Sequence, residues 1–397
     1  MNDPIHPAPR PGLVLFGILA AFALLATGGY IYKGDISSGD LYQHHAAGEM
    51  WAAGDTRGLY RDSTLGVRVD AWQKARFPDN SLEPRSRFNY LYPPLCAVLA
   101  ASAAGISFGT WAWAWLGFSL AACAAAFVFS VRAFPDALKN PLVLLAVIAF
   151  PPLHYALYIG QLTPLTWMIV AGACWLLARN RPILAGCAAS LLFYKPQLLP
   201  WLGLFMLLAG SWRFVAAAAA GSLFWLGAGV ALAGVQAHLD WLACLRDMAE
   251  GIQFTRPGVN LSLRGMLEYY TGGGTWAGGT ALAAGLAGLV WVAWRHRRLS
   301  GTASSAAASA LALGTAVCQV FSPYVCHYDY LLLLPWMMAA QGPVAGRGPQ
   351  TGPLFLLWLA GLLSISGLLW GWPYSGLLLL PWLAWTLGQS PRGGSPQ

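Results

Sequence analysis

The chain has 397 residues, 57% of them hydrophobic and only 10% charged, with a mean hydropathy of +0.54. A soluble domain carries about a quarter charged residues, so an ordinary water-soluble globule is excluded. The net charge of +8 comes from basic residues in short turns, with no block that mixes basic and aromatic residues, which argues against nucleic acid as a partner.

Apolar runs of about 18 residues or more recur along the chain, each long enough to cross a bilayer core. Strand-period alternation is absent. The expected fold class is therefore an all-α polytopic integral membrane protein of about twelve or thirteen transmembrane helices. It is read as one membrane domain, 1–397. The cysteines Cys96, Cys123, Cys174, Cys187, Cys244, Cys318 and Cys326 lie mostly inside apolar runs. They show no C-x-x-C or Cys/His ligand spacing, so neither a disulfide framework nor a zinc site is expected.

Residues 1–12 are Pro-rich, hold Arg10 and are expected to be a cytoplasmic tail. Leu13 to Tyr32 is too long for a signal-peptide core and reads as a retained first span, its far end outside. The segment 33–89 is a far more polar outer loop. Within it Asp40 stands at a helix N-cap with Gln43 three residues on, a capping-box pattern. Leu41, His44 or His45, Gly48 and Trp51 recur at helical spacing, and Gly54 would end the helix. This predicts a short helix lying along the membrane surface. Asp40 has two readings, a helix cap or a chemical carboxylate where a span meets water. Asp35 is the rival carboxylate.

Tyr90-Leu91-Tyr92-Pro93-Pro94 leads into the next apolar run, with prolines suited to a first helical turn. Spans are expected at 95–108, 111–131 and 141–158. A polar notch, Tyr158 to Pro164, contains Gln161. The next span, 163–178, ends at Arg179-Asn180-Arg181-Pro182. The apolar segment 183–210 is broken by Tyr194-Lys195-Pro196-Gln197. A cation there must be buried in protein, line a watery cavity or snorkel to the interface.

A span at 214–234 is followed by a second outer loop, 235–274, in which Asn260 to Leu267 forms a short amphipathic turn. Spans at 276–294 and 303–321 lead to the compact polar motif Phe321 to Tyr330, which holds His327. Further runs at 330–341, 353–371 and 374–388 precede a flexible tail, 389–397. Placing the Arg179, Arg213, Arg295 and Arg347 turns inside puts Asp40, Gln161, Lys195, Asn260, Arg264 and His327 outside. The Arg132–Lys139 turn breaks this parity unless one run between 95 and 131 is re-entrant.

The order of these motifs resembles the polyprenol-phosphate-dependent glycosyltransferase family 87, whose members include actinobacterial mannosyltransferases. The resembling pieces are Asp40-Leu41-Tyr42 through Ala46-Ala47, Gly58-Leu59-Tyr60, Tyr90-Leu91-Tyr92-Pro93-Pro94, Gly160-Gln161, and Ala185-Gly186 leading to Lys195-Pro196. Asn260-Leu261-Ser262-Leu263-Arg264-Gly265 and Ser322-Pro323 with His327 complete the set. The resemblance implies a GT-C fold with a long first outer loop carrying short interfacial helices and the catalytic carboxylate, which falls on Asp40. It implies hexosyl transfer with inversion, from a polyprenyl-phosphate donor (mannose the expected sugar) to a lipid or glycan acceptor. The site would face the outer side of a bacterial cytoplasmic membrane.

Such transfer needs a base for the acceptor proton and cations or donors around the leaving phosphate. Asp40 is the candidate base. Lys195, Arg264 and His327 are candidate phosphate partners. Gln161, Asn260, Tyr90, Tyr92, His44 and His45 are candidate substrate contacts. No D-x-D motif is present, so no metal and no cofactor are expected. Beyond donor, acceptor and membrane lipids no partner is implied, and nothing sets an oligomeric state. The alternative reading is a transporter or flippase for a lipid-linked sugar, which would use the same cavity without bond-making.

Overall fold

The computed structural model describes residues 11–32, 39–76, 89–250, 260–272, 275–300, 304–341 and 356–364. Asp35, the Arg347 turn, the expected span 374–388 and the tail 389–397 lie outside them, as do parts of both outer loops. The described elements are helices, with no strand among them.

The chain begins with α1 (Pro11–Tyr32), a 22-residue apolar helix. The outer loop then folds as α2 (Gly39–Ala52), α3 (Thr56–Tyr60) and α4 (Thr64–Arg76). A helix α5 (Pro94–Ala101) and the long α6 (Phe108–Ala133) follow. Next are α7 (Pro141–Ile148) and α8 (Pro151–Ile159), two halves of one span interrupted ahead of Pro151-Pro152, then α9 (Thr163–Ala178). A broken pair comes next: α10 (Pro182–Ser190) with a 3-10 turn at Leu191–Tyr194, and α11 (Leu199–Leu208). The long α12 (Trp212–Glu250) is kinked at Gly234. The chain continues through α13 (Leu263–Thr271), α14 (Thr275–Ser300), α15 (Ser304–Phe321), a 3-10 turn at His327–Leu333 and α16 (Leu334–Ala339). Residues 356–364 are also helical.

Among the described residues, four segments are long and apolar enough to cross a membrane: Phe108–Ala133, Pro141–Ile159, Trp212–Asp247 and Trp276–Arg298. Shorter apolar helices cover 163–178, 182–194, 199–208 and 306–321. Of these, α9 packs against α6, α10 and α15, and its Trp167, Val170, Ala171, Ala173, Cys174 and Leu177 are buried. Small residues in such a bundle let helix backbones approach closely.

Two expectations change. The run 95–108 is not a span. Its helix α5 has eight residues, about 12 Å of rise against a core of about 30 Å. Ser107 then caps a new helix by accepting from the Thr110 N–H. With α5 not crossing, α6 alone carries the chain over. The Arg132–Lys139 turn then joins the other basic turns, and the polar motifs share the opposite side.

The second change concerns α2. It starts at Gly39, and the Gln43 amide donates to the Asn89 carbonyl at 3.4 Å; that bond stands where the capping box would have turned Gln43 back. α2 is also deeply packed. Ala46, Ala47 and Met50 are buried against Leu59, Leu65, Tyr90, Ala97 and Trp241 in a second core over the membrane bundle. A Cβ on Gly48 would stand 2.5 Å from the Ala100 carbonyl oxygen, so α2 and α5 touch backbone to backbone.

Candidate active site

Asp40 sits in the first turn of α2, where the helix dipole favours a negative charge. The turn that ends α8 presses against it. Gly160 there has φ +71°, and a Cβ would meet the Leu41 side chain at 2.7 Å, so only glycine fits. This brings the Gln161 amide to donate to Asp40 Oδ2 at 2.7 Å. The Tyr92 hydroxyl donates in turn to Gln161 Oε1 at 3.4 Å.

One turn along α2, His44 Nδ1 shares a hydrogen bond of 3.1 Å with the Tyr90 hydroxyl, and its ring lies 4.7 Å from that of Tyr92. Burial pushes His44 down to about 4 against the opposing pull of Asp40. It is therefore neutral near pH 7. Burial raises the Tyr90 and Tyr92 phenols well above their usual range. His45 turns elsewhere: its Nε2 contacts the Ile106 carbonyl at 2.9 Å, and its ring packs on Phe108 and Trp111.

The break at Lys195 forms as the sequence predicts, and its cation is buried in protein. Lys195 Nζ forms an ion pair with Asp329. It also donates to Thr163 Oγ1 at 3.3 Å and lies 5.6 Å from the Tyr328 ring centre. Asp329 Oδ2 accepts from the Cys326 N–H at 3.1 Å, which holds the start of the 3-10 turn. Tyr92 and Tyr324 stand within reach of both carboxylates. Burial chiefly raises their phenols, and the charges of Asp40 and Asp329 add to it.

Asn260 joins two of the sequence motifs. Its Oδ1 accepts from the Ser262 and Val325 N–H groups at 3.2 and 3.1 Å, and its Nδ2 donates to the Pro323 carbonyl at 3.0 Å. Ser262 then caps α13 by accepting from the Gly265 N–H. Arg264, on α13, pairs with Glu268 at 2.6 Å one turn on. His327 donates from Nδ1 to the Ser364 carbonyl, leaving Nε2 buried and without a hydrogen-bond partner among the described residues.

The fold thus brings Asp40, Gln161, Tyr92, His44 and Tyr90 into one network. Lys195 reaches it through Thr163, two residues from Gln161. Asn260 lies on the adjoining 322–329 segment as a strut, and His327 belongs to the same segment. His45 packs away from the network, and Arg264 is held by Glu268. Sequence reading did not single out Asp329 as the partner of Lys195, nor Thr163 or Tyr324. A signal existed for Asp329: it is the only carboxylate side chain after Glu268, and a buried cation requires an anion.

The described residues hold no group of three or more His, Cys, Asp or Glu arranged to take a metal ion. An apolar groove of about 590 Å³ lies between α11 and α12, with Pro93 and Pro196, the chain neighbours of Tyr92 and Lys195, in its lining. Phe193, Pro196, Leu199, Leu204, Trp225 and Leu226 line it, and His238 and Trp241 stand along its wall.

No curated protein and no solved structure matches the chain. A family model does. Residues 90–323 match glycosyltransferase family 87, a stretch that begins at Tyr90 and takes in Gln161, Lys195, Asn260 and Arg264, with Asp40 ahead of it. That match spans more than half of an all-α, membrane-crossing chain, which belongs to glycosyltransferase family 87.

Proposed function

We propose that the protein moves a sugar, mannose, from a polyprenyl-phosphate carrier to a hydroxyl of a lipid or glycan acceptor. The site faces the outer side of a bacterial cytoplasmic membrane. The observation that carries this reading is the pairing, across one short turn, of a carboxylate that accepts from the Gln161 amide, Asp40, with a buried cation, Lys195.

In this reading the acceptor oxygen attacks the anomeric carbon from the face opposite the phosphate. Its proton passes to Asp40, the carbon–oxygen bond to phosphate breaks, and polyprenyl phosphate leaves with inverted sugar left on the acceptor. Lys195 meets the phosphate, with His327 Nε2 as a second donor when protonated and Arg264 at the edge of the loop. Tyr90, Tyr92, His44 and Asn260 shape the sugar pocket. The phosphate ester already activates the sugar, so the reading requires no cofactor and no metal. The apolar groove between α11 and α12, lined in part by Pro93 and Pro196, supports a lipid-linked donor, because it offers an apolar channel within one residue along the chain of Tyr92 and Lys195. Family membership favours bond-making over a transporter or flippase.

The test is transfer of label from polyprenyl-phosphate-mannose to membrane lipids by the purified full-length protein. Wild type should transfer, and Asp40→Asn should lose about 10²- to 10⁴-fold in rate while melting close to wild type. Full transfer by Asp40→Asn would place the base elsewhere. Absence of transfer by wild type from this and other lipid-linked sugars would overturn the reaction.

A further inference from the structure

We propose that the turn Gly160–Thr163 sets the base against the phosphate cation: Gln161 is a positioning residue for Asp40, and Thr163 is one for Lys195. The inference rests on the transfer reaction above and adds the residues that hold its two ends in register.

The geometry is specific. Gln161 gives its amide N–H to Asp40 Oδ2 at 2.7 Å, and the Tyr92 hydroxyl donates to the other end of the amide. An ionised carboxylate only accepts hydrogen bonds, so the Nε2 side must face Asp40. Two residues later Thr163, fully buried, presents its hydroxyl to Lys195. The backbone between them has little freedom. Gly160 is left-handed against Leu41, the Gln161 N–H is bound to the Ala156 carbonyl at 3.0 Å, and Pro164 opens α9. One rigid turn therefore touches both the proton acceptor and the cation for the leaving group. Rate falls steeply when reacting groups drift from alignment.

Gln161 is also chemically suited to this task. A neutral donor orients and stabilises an ionised base without cancelling its charge. Among the described residues, the titratable groups that face Asp40 include His44 on α2, Tyr92 ahead of α5 and Tyr324 in the 322–326 segment, with the Lys195–Asp329 pair beyond the turn. His44 stays neutral and the phenols stay protonated near neutral pH, so the acid limb of the rate profile reports on Asp40.

The experiment measures kcat and KM against pH for full-length protein with labelled polyprenyl-phosphate-mannose. Wild type is compared with Gln161→Glu, Gln161→Ala and Thr163→Val. Gln161→Glu sets a second carboxylate against Asp40, so the two share a proton and the acid limb moves up by roughly one pH unit or more. Gln161→Ala lowers kcat by about 10- to 100-fold with little change in donor KM, as expected for loss of a charge-assisted hydrogen bond. Thr163→Val raises the donor KM by about tenfold. A Gln161→Glu profile that superimposes on wild type would overturn the inference, and so would Gln161→Ala acting on KM alone, as a sugar contact would. If the alanine variant does not fold, the near-isosteric glutamate carries the test. Failure of wild type to transfer from any lipid-linked sugar would sink the reaction itself, and that is seen before any variant is compared.

Discussion

Asp40 and Asp329 flank the same short turn but are held by different chemistry. Asp40 is bound by a neutral amide and lies near a neutral histidine and two protonated tyrosines. Asp329 is bound by a lysine ammonium and a backbone N–H. The first arrangement brings an uncharged hydrogen-bond donor to the carboxylate that must accept a proton. The second cancels charge, so a lysine and a carboxylate can sit inside an apolar bundle. A buried ion pair of this kind adds little net stability over apolar residues, but removal of one member leaves the other charge stranded.

That contrast predicts the largest stability effect in the site. Lys195→Met should lower stability by about 3–5 kcal/mol, because Asp329 is left buried without its cation. The double change Lys195→Met with Asp329→Leu should recover most of the loss while remaining inactive. Asp40→Asn, which keeps the side chain's shape and an oxygen to accept from Gln161, should melt closer to wild type. Thermal unfolding in detergent separates these cases. A Lys195→Met protein as stable as wild type would mean that the two carboxylates are held alike.

A smaller effect should come from the turn both clusters share. Gly160→Ala adds a Cβ 2.7 Å from the Leu41 side chain at φ +71°, with a cost of about 1–3 kcal/mol for the strained backbone. Its first contact is with α2, so the Asp40 side should suffer more. The expected signature in the transfer assay is a fall in kcat that exceeds any rise in donor KM. An equal effect on both would mean that the turn is a simple spacer.

Much of this was legible in the sequence. Helical class followed from apolar runs and low charge. Lys195 stood out because a cation beside proline inside an apolar segment needs burial. Gly160-Gln161 stood out as a polar notch between two spans. What could not be read was pairing across the chain. Lys195 and Asp329 stand 134 positions apart, and no local pattern joins them. That Asn260 ties two loops together could not be read either, because its partners Pro323 and Val325 lie more than 60 residues on. The run 95–108 was apolar enough for a span. It fails as one because the chain breaks after Ala101 and Ser107 starts a new helix, which apolarity does not record. The capping pattern at Asp40 misled for a similar reason: Gln43 found the Asn89 carbonyl, 46 residues away, in place of its own helix end.

The smallest effect, absent at neutral pH, concerns His44. Its ordinary value of 6.5 falls to about 4 in the folded protein because burial disfavours the imidazolium. Above pH 6.5 both folded and unfolded chains carry it neutral, and it contributes nothing to the pH dependence. Between pH 6.5 and about 4 the unfolded chain takes up a proton that the folded site refuses. Stability therefore falls with pH across that window, by at most about 1.4 kcal/mol per unit, and levels off below it. The difference between wild type and His44→Gln, followed by thermal unfolding across these pH values, isolates the contribution. Asp40 sharpens the test, since its charge is what pulls His44 back up. In Asp40→Asn that pull is gone, the folded-state value drops further, and the decline should continue to lower pH. An Asp40→Asn curve identical to wild type would mean that Asp40 does not act on His44 as an anion, and the contrast with the neutralised Asp329 would lose its basis.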